Sequence, residues 1–179
     1  GSQNLYGQYL DAAVFSSHPK VLASLGDGAD SFTESGNADN VDLGPGDDQV
    51  QLFYGGTANV GIQMGAGTAD RVTYTGSPLA DSISAASANT GATVTQSNAD
   101  GGGSTTFVNA ELLTIYGSDG GDTITTADVT AASSIDYLSQ YGQAGNDTLT
   151  NGAVNGALYG GPGTNALHGG TGSESFWTE

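Results

Sequence analysis

Short runs in which apolar and polar residues alternate recur along this chain. Arg71-Val-Thr-Tyr-Thr75, Ala92-Thr-Val-Thr95 and Leu113-Thr-Ile-Tyr116 read as half-buried strands. The linkers between them are rich in Gly, Ser, Asn and Asp, the residues of tight turns. Shorter pieces carry an aspartate two places before an apolar residue: Asp70-Arg-Val72, Asp81-Ser-Ile83, Asp122-Thr-Ile124, Asp136-Tyr-Leu138 and Asp147-Thr-Leu149. Very short strands joined by glycine-rich turns predict an all-β chain.

A regular beat underlies the pattern. Residues 25–33, 34–42 and 43–51 form three consecutive nine-residue units, with Asp30, Asp39 and Asp48 at the sixth place and Phe32, Val41 and Val50 at the eighth. From Gly142 the register returns, with Leu149, Leu158, Leu167 and Phe176 at the eighth place. A fixed short period marks a solenoid. Two units make one turn, so Asp30 is expected over Asp48, 18 residues on. Between the regular blocks the step widens: Asp48 to Asp70 is 22 residues, Asp81 to Asp122 is 41 and Asp122 to Asp147 is 25. The expected fold is a parallel β-solenoid (β-roll or β-helix) with coils of about 18–22 residues.

The chain divides accordingly. Residues 1–2 read as a cloning remnant. Residues 3–24, with Leu5, Tyr6, Tyr9, Leu10, Val14 and Phe15, read as a small cap over the open N-terminal end, where Pro19 argues against a continuous helix. Residues 25–177 read as a single solenoid domain, with regular units at 25–51 and 142–177 and wider, irregular coils at 52–141. Tyr54, Tyr74, Tyr116, Tyr137 and Tyr159 lie 20, 42, 21 and 22 residues apart, which predicts a stacked tyrosine column. The long step reads as nearly two coils, with Gln96 where a tyrosine is missing.

Composition narrows the chemistry. The 179 residues include 30 glycines and 19 acidic side chains against two basic ones, Lys20 and Arg71, for a formal charge of −17. That excludes nucleic acid and anionic membrane surfaces as partners and favours bound cations. Two carboxylates ~4 Å apart repel by about 4 kcal/mol at an effective dielectric of 20, so stacked acidic turns call for a counter-ion. Cysteine is absent, which removes disulfides, thiol nucleophiles and zinc thiolates. No apolar run approaches the ~20 residues of a membrane span, so no membrane insertion is expected.

In each unit the glycines permit positive φ and close approach of the backbone, so a turn can aim carbonyls and the sixth-place carboxylate at one centre. Calcium takes six to eight hard oxygens, which such turns can supply; magnesium holds its waters and demands stricter geometry. These residues resemble the RTX, or hemolysin-type, calcium-binding nonapeptide-repeat family, whose pattern is Gly-Gly-x-Gly-x-Asp-x-apolar-x. The resemblance implies a parallel β-roll with calcium between stacked turns. It makes Asp30, Asp39 and Asp48 the ligand aspartates, with Asp47 beside them, and Gly26, Gly28, Gly44 and Gly46 the carbonyl donors. Asp122 and Asp147 match less fully, and Asp70 and Asp81 keep only the Asp-x-apolar core. In the last three units Gly156, Asn165 and Glu174 replace the aspartate, leaving Asp147 and Asn165 as a weak pair. The calcium expectation therefore rests chiefly on the N-terminal half.

No catalytic constellation accompanies the repeat: His18 and His168 lie at opposite ends, and neither a metalloprotease helix motif nor a Gly-x-Ser-x-Gly elbow is present. The chain is therefore expected not to be an enzyme. The expected function is a calcium-binding structural module of a secreted or cell-surface protein (an adhesin, a surface-layer protein or a type I-secreted protein) that folds on binding calcium. The alternatives are a recognition module for a surface glycan or protein along its tyrosine column, an accessory domain of a polysaccharide-modifying enzyme, or association with neighbouring copies of itself.

Overall fold

The computed structural model describes residues 3–5, 12–16, 21–35, 40–53 and 59–178. Asp39, Tyr54 and His18 lie outside these residues, so the expectations attached to them have no structural counterpart here. The described residues contain strands and no helix.

The chain winds as a β-solenoid in which each coil gives one strand to each of two sheets. The first coils comprise β1 (Gln3–Leu5) and β2 (Ala12–Ser16), β3 (Val21–Ser24) and β4 (Ser31–Ser35), β5 (Asn40–Asp42) and β6 (Gln49–Phe53), then β7 (Asn59–Gln63) and β8 (Arg71–Thr75). Next come β9 (Ser82–Ala88), β10 (Gly91–Asn98), β11 (Gly101–Val108) and β12 (Leu112–Asp119). The remaining coils comprise β13 (Thr123–Asp128) and β14 (Tyr137–Ala144), β15 (Thr148–Thr150) and β16 (Asn155–Tyr159), and finally β17 (Ala166–His168) and β18 (Glu174–Trp177). One sheet runs β1-β3-β5-β7-β11-β10-β9-β13-β15-β17, the other β18-β16-β14-β12-β8-β6-β4-β2. The stretch expected to be a cap follows the same plan, since β1 pairs in parallel with β3 and β2 with β4.

Alternation explains which side chains point inward. β6 and β8 bury Val50, Leu52, Val72 and Tyr74 and turn the residues between them outward. Register stacks these into rows: Phe32 on Val50 on Val72 on Leu113 on Leu138. Facing them in the other sheet, Val41 stacks on Ile62 and Ile62 on Phe107, while Ile83 stacks on Ile124 and Ile124 on Leu149. Burial of each large side chain contributes about 1.5–3 kcal/mol, and each row repeats that gain coil by coil.

The wide middle is not two coils. β8 pairs directly with β12, Arg71 opposite Leu112, so the 41-residue step is a single step in that sheet. The extra length is an antiparallel meander, β9-β10-β11, laid into the other sheet between β7 and β13. It reverses at Asn89-Thr90, where Asn89 has φ 54°, and at Ala99-Asp100 before Gly101 at φ 132°. These are turn residues with the left-handed backbone that tight hairpins require.

The tyrosine column exists with a different membership. Tyr116, Tyr141, Tyr159 and Trp177 stack with ring centroids 4.7, 4.4 and 5.9 Å apart. Tyr74 is instead a core residue whose hydroxyl donates to Gln96 Oε1 at 3.0 Å. Tyr137 lies four residues before Tyr141 in the same strand, exposed beside Asn155. Strand alternation is the reason: Tyr74 pairs with Ile115, on the inner face, whereas Tyr116 points outward.

Candidate metal centre

Each described sixth-place aspartate sits at a corner, immediately before a strand, and stacked corners build a ladder. Asp30 N–H donates to Asp48 Oδ1 at 2.8 Å, Asp48 N–H to Asp70 Oδ1 at 2.7 Å, and Asp70 N–H to Glu111 Oε2 at 2.9 Å. A second ladder follows on the other corner, where the chain crosses back between sheets. There Asp81 N–H donates to Asp122 Oδ1 at 2.8 Å, Asp122 N–H to Asp147 Oδ1 at 2.9 Å, and Asp147 N–H to Asn165 Oδ1 at 2.8 Å. Asp30 and Asp48 thus stack as the repeat implies. The ladders are not confined to the N-terminal half, however: the first reaches past the meander to Glu111, and the second runs from Asp81 to Asn165. Glu111 went unnoticed in the sequence, although Glu111-Leu-Leu113 has the same acid-x-apolar form as the aspartate units.

The second oxygen of most rungs is the chemically unusual atom. Oδ2 of Asp48, Asp70, Asp122 and Asp147 is buried with no hydrogen-bond partner. Asn165 shows what belongs there. Its Oδ1 takes the ladder bond and its Nδ2 donates to the carbonyl of Gly161, four residues earlier, at 2.8 Å. In Asp122, Asp147 and Asn165 the second atom occupies the same place, against the glycine five residues before: Gly117, Gly142 and Gly160. Asp81 meets the need differently, because Ser77 N–H donates to its Oδ2, and Ser77 Oγ, Gln96 Nε2 and Asn98 Nδ2 to its Oδ1.

Burial without a donor raises the carboxyl pKa values. Asp48 and Asp122 are pushed up to about 6, chiefly by desolvation and further by the neighbouring carboxylates, against the pull of one backbone hydrogen bond each. Asp70, Asp147 and Glu111 are raised for the same leading reason. Asp47 behaves oppositely. It is exposed, and its Oδ1 accepts from Thr68 N–H at 2.9 Å and Ala69 N–H at 3.2 Å, with the Thr68 bond lowering its pKa. It caps the next coil from outside, as Asn146 does for Thr164.

The glycines serve close stacking. Gly26, Gly28, Gly44 and Gly46 all have positive φ. A Cβ on Gly44 or Gly46 would lie 2.0 or 1.7 Å from the carbonyl oxygen of Gly26 or Gly28 in the preceding coil. Gly28 N–H donates to Pro45 O and Gly46 N–H to Ala66 O, so the parallel ladder runs on through the corner. Gly46→Ala combines a backbone clash with a left-handed alanine and is expected to lower stability by about 2–4 kcal/mol. A urea midpoint unchanged from wild type would show that the corner can yield.

Among the described residues no three His, Cys, Asp or Glu side chains converge as a ready cage. A cation here would be held by carboxylates of adjacent rungs together with backbone carbonyls. Compared with family models, curated proteins and solved structures, the chain matches none.

Proposed function

We propose that this chain is a calcium-binding structural β-solenoid module of a secreted or cell-surface protein. The observation that carries this reading is the set of four buried, donorless carboxylate oxygens, on Asp48, Asp70, Asp122 and Asp147. An unsatisfied buried polar group costs about 1–3 kcal/mol, and more when charged, so each position needs a proton or a cation. The donors are all hard oxygens, the set that suits calcium.

Asp48 and Asp70 would hold ions at one corner, and Asp122 and Asp147 at the other, with Asp30 and Glu111 flanking the first pair. The bound ion supplies the positive charge that the ladder lacks. The protein's part is to hold one oxygen of each carboxylate on a backbone N–H, leaving the other fixed and dry. Calcium is scarce in cytosol, and extracellular calcium modules work at roughly 10⁻⁴–10⁻³ M. Binding free energy then becomes folding free energy outside the cell. Calorimetric titration of chelator-stripped protein at neutral pH is expected to show saturable calcium binding with a rise in melting temperature. Identical melting curves in chelator and in millimolar calcium would remove the proposal.

A further inference from the structure

Beside the aromatic column runs an open groove of about 830 Å³, lined by Tyr141, Tyr159 and Trp177 on one side and by Asp119, Gln143 and Pro162 on the other. It crosses the strands, running along the solenoid axis. The lining repeats: Tyr141, Tyr159 and Trp177 are register partners in successive coils, as are Ser118 and Gln143, and Tyr116 continues the ring column beyond the groove. Ring planes within the column lie 21°, 3° and 5° apart, so the faces cover one another and the groove meets ring edges. Trp177 ends the stack and stays 56% exposed.

The corner opposite the rings carries backbone strain. Ser118, Gln143 and Gly161 have φ of 83°, 69° and 82°. Glycine occupies that conformation freely, whereas serine and glutamine do so at a cost. Ser118 recovers part of it by donating to Gly76 O at 3.1 Å. Gln143 is exposed and lines the groove, and among the described residues its side-chain amide has no hydrogen-bond partner, although its backbone pairs with Ser118. A strained residue whose amide serves nothing within the fold points to a ligand outside it.

We infer that the groove binds a linear, uncharged polysaccharide laid along the solenoid axis. Three properties select that class. The lining repeats from coil to coil, which suits a chain of like units. It mixes ring edges with a free amide, Ser118 and one carboxylate, which suits hydroxyl-rich rings. No basic side chain lines it and the chain carries −17, which repels polyanions. An added peptide strand would lie parallel to the existing strands, across this groove rather than along it.

Affinity electrophoresis of the folded full chain tests this, in gels cast with hydroxyethylcellulose, mixed-linkage β-glucan or galactomannan, and with polygalacturonate as the anionic comparison. Retardation by at least one neutral polymer and none by polygalacturonate is expected. Gln143→Gly removes the amide and relieves the strain, and Ala144→Arg fills the groove from an exposed position. Each is expected to weaken retention roughly tenfold with unchanged circular dichroism. Oligosaccharides cut from the retained polymer should gain affinity with length until they span the groove. Retention by no neutral polymer, retention that survives both variants, or affinity independent of length would overturn the inference. Because the readout is taken on folded protein, it stands or falls separately from calcium binding.

Discussion

Replacing Asp48, Asp70, Asp122 and Asp147 together by asparagine is expected to raise the melting temperature of the metal-free protein at neutral pH and to abolish the proposed stabilisation by calcium. The chain supplies its own precedent in Asn165, which keeps the ladder bond to Asp147 N–H and uses its amide to reach Gly161 O. Each swap removes a buried charged oxygen without a donor, and at Asp122 and Asp147 it installs a donor in the place that Nδ2 takes in Asn165. Relief of an unsatisfied buried group is worth about 1–3 kcal/mol. One kcal/mol moves the midpoint of a chain this size by about 2–4 °C. Neighbouring rungs couple, so the gains will not add simply. Asp81→Asn is the internal contrast. Its carboxylate already accepts four hydrogen bonds, and an amide there would turn N–H against donors, so it destabilises. Melting curves in chelator and in calcium decide the matter. A quadruple variant that melts below wild type in chelator, or that still gains from calcium, would show that the ladder oxygens are not the ion's ligands.

Metal-free protein is expected to be most stable in mild acid and to weaken toward neutrality. The Asp48 and Asp122 carboxyls move from 3.8 in the free residue to about 6 in the fold. Between those values the folded chain holds protons that the unfolded chain has released. Stability therefore falls as pH rises through that window and levels off above the folded value. Below about 4 both states are protonated at these groups, and their contribution is present in full. Asp47, with its pKa lowered, has the opposite sign but is exposed, and it offsets little. If calcium takes the proton's place, as proposed, the loss toward pH 7.5 is expected to disappear in its presence. Urea midpoints at about pH 4.5, 6 and 7.5 in chelator read the slope. A midpoint that climbs across that range would be incompatible with a donorless ladder, and the quadruple asparagine variant should show almost no slope.

The period was legible because it is set by two requirements visible in one dimension: glycine where coils touch, and an apolar residue two places after the acid. The stacking of Asp30 on Asp48 and the strands around Val72 and Ile115 follow from it. Side-chain direction was harder. Tyr74 and Tyr116 have nearly equivalent spacing, yet one faces the core and the other solvent, because a single residue of offset in a strand reverses the face. The meander was hidden for a related reason. Asn89-Thr-Gly91 and Asn98-Ala-Asp100-Gly101 are reversal signals, but a solenoid also turns at polar, glycine-rich corners, and the letters alone do not separate a corner from a hairpin. The first ladder runs on across that insertion at its own corner, from Asp70 to Glu111, while the second begins at Asp81, just before it.

The insertion obeys a parity rule. Where one strand of the ten-stranded sheet would suffice to complete a coil, three are present, and the eight-stranded sheet continues from β8 to β12 as if nothing had intervened. Only an odd number can stand in for one, because the last must run in the direction of the first for the chain to leave toward the opposite sheet. β11 accordingly lies parallel to β7, and β9 parallel to β13, with β10 reversed between them. A solenoid of this kind can therefore grow on one wall by whole hairpins while the other wall keeps count of the coils.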